Sequence, residues 1–204
     1  MCIRDRVGTI YSKAELTALS ATCHKYGLYL FLDGARLGYG LAAPDNDLTL
    51  PDIAALCDVF YIGGTKVGAL FGEAVVIKNP ELAQDFRYLI KQNGGMLAKG
   101  RLLGLQFDAL FTDGLYQVIS AHAIAMAEKL REAFTAKGYT YLAPNRTNQI
   151  FVIVPDAHLA KISEQFEYSY DQRIDATHSC VRFCTGWATR EENVDALIRC
   201  VEKL

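Results

Sequence analysis

The sequence predicts an α/β protein: a partial mixed, mostly parallel sheet in a larger domain, followed by a small carboxy-terminal α/β domain. Two phrases carry the first half of that reading. Leu28-Tyr-Leu-Phe-Leu-Asp33-Gly-Ala-Arg36 is an apolar run that ends on a carboxylate, and Val59-Phe-Tyr-Ile-Gly63-Gly-Thr-Lys66 is one that ends on glycines and an amine. Short β-rich runs bounded by turn residues read as buried strands. A helix-like stretch from Pro51 to Cys57 separates them, and strand–helix–strand implies a parallel pair. The third observation makes the sheet mixed. Ala74 to Lys78 follows Lys66 too closely for a helical crossover, so that strand must run antiparallel.

The elements follow in order. Met-Cys-Ile-Arg-Asp-Arg at the start carries charges but no following apolar region, which excludes a secretory signal. It fits poorly with Val7-Gly-Thr-Ile-Tyr11, so residues 1–6 are expected to be foreign to a chain that began further upstream. Ser12-Lys-Ala-Glu15 is a capping-box signature for a helix that Gly27 ends, with Leu16, Leu19 and Cys23 at helical spacing. Leu41 to Leu50, with Pro44, Asp45, Asn46 and Asp47, reads as a polar loop long enough to line a site mouth. Pro51 suits a first helical turn. Pro80 to Gln92 reads as one basic helix and Leu102 to Leu110 as another, broken at Asp113-Gly114.

Leu115 to Lys137 is a long helix ended by Gly138, with Ile119, Ala123, Met126, Leu130 and Phe134 on one stripe. Strands are expected near Tyr139–Leu142 and Gln149–Val154, a helix over Ala157–Phe166, and a strand over Ser179–Cys184. Thr189-Arg-Glu-Glu192 reads as the cap of a last helix that buries Val194, Leu197, Ile198 and Val201. The expected division is residues 7–114 for the larger domain and 115–204 for the small one.

Composition narrows the function. A hydrophobic fraction of 51% with 22% charged residues is that of a soluble globular protein. A net charge of −2 argues against nucleic acid as partner, since its binders carry a clustered basic face. No apolar run approaches the ~20 residues of a membrane-spanning helix. Cys2, Cys23, Cys57, Cys180, Cys184 and Cys200 are scattered, and none forms a Cys-x-x-Cys pair. They read as free thiols in a reducing cytoplasm, with no metal site.

In parallel sheets, ligands sit outside the carboxyl ends of the strands. Asp33 and Lys66 fall at two such ends and deliver an acid and an amine to one edge. Leu32-Asp33-Gly-Ala-Arg36 and Gly63-Gly-Thr-Lys66-Val-Gly68 resemble the pyridoxal-phosphate enzymes of the aspartate-aminotransferase fold. The likeness is greatest to the low-specificity threonine aldolases, within the aromatic amino acid β-eliminating lyase group, and covers Gly8 to Leu204 as the carboxy-terminal part of such an enzyme.

That resemblance implies pyridoxal 5′-phosphate as cofactor, held by Asp33, Arg36 and Lys66. Asp33 would pair with the pyridine nitrogen and Lys66 would attach the cofactor covalently as the catalytic amine. The residue types suit those tasks, because a carboxylate keeps a ring nitrogen protonated and a lysine adds reversibly to an aldehyde. The implied reaction cleaves threonine or allo-threonine to glycine and an aldehyde, in a homodimer or homotetramer. The histidine over the ring and the phosphate-binding turn of such enzymes lie upstream, so His24, His122, His158 and His178 receive no role. Leu97 stands where a positive residue is common after the run Gly94-Gly95, and Lys99 and Arg101 are left outside the site.

Arg182 stands out without any resemblance. In Ser179-Cys-Val-Arg-Phe-Cys184, alternation sends it to the face opposite Val181 and Phe183. An arginine in so apolar a strand needs an anion, and its planar fork matches a carboxylate. The resemblance makes that anion the substrate α-carboxylate.

Two rivals differ in class. The same site could run β-elimination or transamination, since the pocket selects the bond that breaks. A nucleotide-binding turn would need Ser or Thr directly after the lysine, and Val67 follows. With three strands in the larger domain, an apolar patch beside Leu28–Leu32 is expected to be exposed, and the chain alone is expected to be inactive.

Overall fold

The computed structural model describes residues 8–204, so the expectation about residues 1–6 lies outside the described residues. Helix α1 spans Lys13–Lys25 under a full capping box: Ser12 Oγ accepts from Glu15 N at 3.3 Å, and Glu15 accepts from Ser12 N at 2.8 Å. Gly27, at φ +66°, ends it by supplying the left-handed turn that a β-carbon would strain.

Strand β1 is Phe31–Leu32, shorter than the run from Leu28 suggested. Leu28 N is taken by Cys23 O at 2.9 Å and Leu30 N by the Asp58 carboxylate at 2.8 Å, so neither is left for a ladder. Strand β2 (Val59–Gly63) pairs with β1 in parallel, and β3 (Glu73–Ile77) pairs with β2 antiparallel. The sheet is mixed, as expected. Leu28, Tyr29 and Phe31 stand exposed along its β1 edge, where the apolar patch was expected.

Two helices lie between β1 and β2. Helix α2 (Leu37–Leu41) has no counterpart in the sequence reading, because Leu-Gly-Tyr-Gly-Leu carries two glycines in five residues. Helix α3 (Leu50–Leu56) is capped by Thr49 and Asp52 and has Pro51 in its first turn. The loop between them is folded on itself by Asn46, whose amide donates to Leu41 O and Leu48 O at 3.2 and 2.7 Å.

The single helix expected over Pro80–Gln92 is two, α4 (Pro80–Ala83) and α5 (Phe86–Gln92). Asp85 breaks them at φ +57°. Helix α6 (Arg101–Phe111) and the long α7 (Leu115–Ala136) are separated at Asp113 and Gly114, both at positive φ.

The second sheet is antiparallel throughout, in the order β4-β5-β7-β6. Its strands are β4 (Thr140–Tyr141), β5 (Gln149–Pro155), β6 (Ser169–Arg173) and β7 (His178–Cys184). Strand β6 left no trace in the sequence pattern because Ser-Tyr-Asp-Gln-Arg is exposed at every position. Helix α8 (Asp156–Ile162) stops one turn before the expected Phe166. Helix α9 (Glu191–Glu202) is not capped by Thr189, whose hydroxyl instead accepts from Gly186 N at 2.8 Å.

Each sheet has its own core. Leu16, Leu32, Ile53, Phe60, Ile62 and Val67 pack together on one, and Ile150, Val152, Val181, Phe183, Val194 and Leu197 on the other. Helix α7 reaches both, giving Tyr116, Ala123 and Ile124 to the first and Met126, Leu130 and Phe134 to the second. It ties the two parts into one frame.

Candidate active site

The site begins where β1 and β2 end. Gly63 N donates to Gly34 O at 2.9 Å, which joins the end of β2 to the turn that follows β1. A β-carbon on Gly34 would lie 1.8 Å from Tyr61 O, and one on Gly63 would lie 2.4 Å from Ala35 O. Those contacts are with backbone and could not be relieved by a side-chain rotation. Glycine at both positions is what lets Asp33 and Lys66 share an edge.

Asp33 directly follows β1. Its Oδ1 accepts from Ala35 N at 3.1 Å and from the Tyr61 hydroxyl in a short bond. Both bonds use one oxygen, which leaves Oδ2 for a donor from outside. Tyr61 reaches it because alternation along β2 buries Phe60 and Ile62 and turns Tyr61 to the other face.

Lys66 sits in a tight turn in which Gly64 O accepts from Val67 N at 2.9 Å and Ala69 N at 3.0 Å. Two tyrosines brace that turn. The Tyr39 hydroxyl donates to Lys66 O at 2.5 Å and accepts from Trp187 N at 3.2 Å. The Tyr116 hydroxyl donates to Gly63 O at 2.9 Å and accepts from Gly38 N at 3.1 Å. Burial pushes both phenols up, so they stay neutral donors.

Across from this edge lies the loop after β7. Arg36, Tyr39 and Lys66 face Asn148, Cys184, Gly186 and Trp187 over a cleft of about 450 Å³, within the span of small-molecule sites. The loop is held on every side. Asn148 Nδ2 donates to Thr185 O at 2.7 Å, Thr185 Oγ1 to Ala123 O at 2.6 Å, and Thr189 O meets His122 Nε2 at 2.8 Å. The side-chain oxygen of Asn148, Oδ1, is buried without a hydrogen-bond partner among the described residues.

Arg182 lies on β7 opposite Val181 and Phe183, both of which are core residues. Its Nη1 donates to Gln149 Oε1 at 3.3 Å and its Nη2 to Ser169 Oγ at 3.4 Å, while Nε is buried without a partner. Among the described residues no carboxylate pairs with it. Arg182 does not line the cleft, but Cys184, two positions along the same face, does. Desolvation pushes the Cys184 thiol up, and the positive charges of Arg182 and Arg36 oppose that rise.

The structure thus gathers Arg36 and Lys66 in one cleft, sets Asp33 on the adjoining turn, and leaves Arg182 outside the lining, two positions before Cys184 on β7. Lys99 and Arg101 do not line it, nor does any of the four histidines. Sequence reasoning missed Tyr39, Tyr61, Tyr116 and Asn148. The alternation of β2 already pointed Tyr61 away from the core, whereas Tyr39 lies in a helix with no readable periodicity. The described cysteines are free thiols.

Comparison with known proteins places these features in context. The family described as Beta-eliminating lyase matches residues 3–157. A low specificity L-threonine aldolase of Pseudomonas aeruginosa is 31% identical over 194 residues, covering 95% of this chain and 55% of its own length. Its namesake from a second Pseudomonas strain is 33% identical over 195 residues, covering 94% of this chain and 55% of its own length. The chain therefore spans about half the length of the relatives it matches. A structure of Leishmania major threonine aldolase superposes with a TM-score of 0.97 at 42% identity, over 100% of this chain and 59% of that one. At 16% identity and a TM-score of 0.69, an aspartate aminotransferase of Thermus thermophilus shares the fold.

Proposed function

The chain belongs to the β-eliminating lyase family, and on that premise we propose that the whole protein is a pyridoxal-phosphate-dependent lyase of the threonine-aldolase type. It would cleave a β-hydroxy amino acid to glycine and an aldehyde. One observation carries the reading: Asp33 and Lys66 follow adjacent strand ends that the Gly63–Gly34 hydrogen bond joins. The relatives named above support the subtype.

The donor set fits the cofactor. Asp33 keeps one carboxylate oxygen open and Lys66 brings a primary amine. When bound, pyridoxal 5′-phosphate supplies an aldehyde for attachment and a ring that accepts electrons from a breaking Cα–Cβ bond. Asp33 would hold the ring-nitrogen proton, with Tyr61 fixing the carboxylate's angle. Lys66 would provide the attaching amine, from a turn that Tyr39 and Tyr116 keep in place. Arg36 would add positive charge at the cofactor edge of the cleft. Arg182 would take the substrate carboxylate with the Nη nitrogens now weakly bonded to Gln149 and Ser169.

We assign residues 7–114 to the cofactor-binding part and 115–204 to the small domain, and we expect a homo-oligomer in the cytoplasm, acting on a small amino acid. The free thiols support a reducing compartment. No helix among the described residues is long and apolar enough to cross a membrane.

Product analysis with the full-length protein and L-threonine tests the reaction. Equal yields of glycine and acetaldehyde are expected, and 2-oxo acids or ammonia in their place would overturn the aldolase reading. Borohydride reduction of the cofactor-loaded protein should fix the cofactor on Lys66. A label on Lys78, Lys91 or Lys99 would remove Lys66 from its role.

A further inference from the structure

Strands β5 and β7 set four side chains in two rows on the face opposite Ile150, Val152, Val181 and Phe183. Phe151 pairs with Arg182, and Gln149 pairs with Cys184, which puts the second row one step nearer the cleft. Opposite residues of an antiparallel pair share a face, and a long side chain also reaches the diagonal neighbour. Arg182 uses that diagonal. Its Nη1 donates to Gln149 Oε1 at 3.3 Å, while its Nη2 donates sideways to Ser169 Oγ on β6 at 3.4 Å.

The two acceptors differ in firmness. Gln149 is 1% exposed, and it borders the small void beside the cleft with Arg36, Tyr39 and Asn148. Its Oε1 also meets Cys184 Sγ at 3.8 Å. Ser169 belongs to the edge strand β6, which is exposed at every position. The Phe151 ring lies against the guanidinium, with Arg182 Cζ 6.0 Å from its centroid. Both anchors are neutral. A carboxylate in the place of Gln149 would neutralise the guanidinium within the fold, whereas an amide orients it and leaves its charge for an incoming anion.

We propose that Gln149 is the positioning residue for Arg182: from the row nearer the cleft, its amide oxygen draws the guanidinium toward the carboxylate of the bound amino acid and leaves the positive charge uncompensated until that carboxylate arrives. The inference rests on the proposed function, in which Arg182 takes the substrate carboxylate.

The test compares two ligands that differ at that carboxylate. L-Alanine and L-alaninamide would be titrated into cofactor-loaded, full-length protein and their binding read from the cofactor's absorbance. Gln149→Met keeps the side-chain length and removes the acceptor. It should weaken alanine roughly tenfold relative to alaninamide, the order for one hydrogen bond to a charged group. Gln149→Glu keeps the shape and supplies a fixed carboxylate, so it should weaken alanine further. A merely structural role would weaken both ligands alike, and that result in either variant would overturn the proposal. So would an alanine-to-alaninamide ratio that stays at the wild-type value in either variant. One variant removes polarity and the other adds a charge that Arg182 can pair, so each decides the question if the other does not fold. Arg182→Leu separates the premise from the inference. An unchanged ratio there would remove Arg182 from carboxylate recognition, and Gln149 with it. A ratio lost in Arg182→Leu but kept in Gln149→Met would overturn the inference alone. Neither ligand has a β-hydroxyl to cleave, so a protein without aldolase activity would sink the proposed reaction and leave this test readable.

Discussion

Tyr61 donates its hydroxyl to Asp33 Oδ1 across the parallel β1–β2 pair, so the site's acid is oriented by a side chain from the neighbouring strand. Ala35 N, two residues on, is the only other group holding that oxygen among the described residues. A carboxylate fixed from two directions presents its second oxygen at a defined angle. That matters for a proton shared with a flat ring more than for a diffuse surface charge.

Tyr61→Phe removes this bond and leaves the packing face nearly unchanged. One hydrogen bond to a charged acceptor is worth about 1.5 to 3 kcal/mol, and the partly exposed site puts the effect at the lower end. Cofactor affinity of the full-length protein should fall roughly tenfold, read by titrating the cofactor's absorbance. Asp33→Asn should cost more, because it removes the charge itself. Unaltered affinity in Tyr61→Phe would mean that Ala35 alone positions the acid.

Arg182→Leu should weaken recognition of the amino-acid substrate by roughly 2 to 5 kcal/mol, the range for truncating one partner of a desolvated charge pair. The cofactor should still bind, since Asp33, Arg36 and Lys66 stay in place. Fluorescence titration of cofactor and steady-state KM for threonine separate the two. An equal loss of both would make Arg182 a structural residue of β7, tied to Gln149 and Ser169.

What was legible in the sequence was the set of features with one-dimensional signatures. Strand ends that stop at Asp33 and at Gly63-Gly64 expose a ligand edge through hydrophobic run length alone. Arg182 was visible because a cation interrupts an alternating apolar strand. The braces were not, since Tyr39 meets Lys66 and Trp187 through contacts 27 and 148 residues apart in sequence. Thr189 shows the opposite failure. Its spacing to Glu192 matches a capping box, yet the hydroxyl is spent on Gly186 N, where it shapes the cleft loop instead of the helix. Local patterns show which residue types are present, and long-range hydrogen bonds decide which partner each one takes.

Acid should destabilise the fold in part through Asp52. Lys13 and Thr49 hold its carboxyl down to about 2, below the ~3.9 of an unfolded aspartate. The folded group thus resists protonation longer than the unfolded one. Its contribution is fully present above the unfolded value and is lost as pH falls through about 2. Asp175, held down to about 2 by Thr177 and His178, behaves alike. Thermal melts at pH 5, 4, 3 and 2 should show a shallower acid decline for Asp52→Asn than for the wild type. Parallel declines would mean that the pair with Lys13 is screened to nothing.

Tyr39→Phe tests whether the two parts of the chain are coupled through the lysine turn. Tyr39 is 1% exposed, and its hydroxyl alone joins Lys66 O to Trp187 N. Removing that oxygen deletes one donor and one acceptor and leaves two backbone groups to find other partners. The cost for such a loss is about 1 to 3 kcal/mol, large enough to lower the melting temperature by several degrees. Loss of stability alone would not distinguish a brace from ordinary packing. The distinguishing readout is local: Trp187 is the one tryptophan of this chain, and its indole sits at the cleft mouth. Acrylamide should quench its emission more strongly in Tyr39→Phe, because residues 185–189 would lose their tie to α2. Lys66 would also lose its backbone anchor, so kcat of the full-length enzyme should fall more than KM rises. If quenching and kcat both match the wild type while the melting temperature drops, Tyr39 serves the core and does not couple Lys66 to the loop.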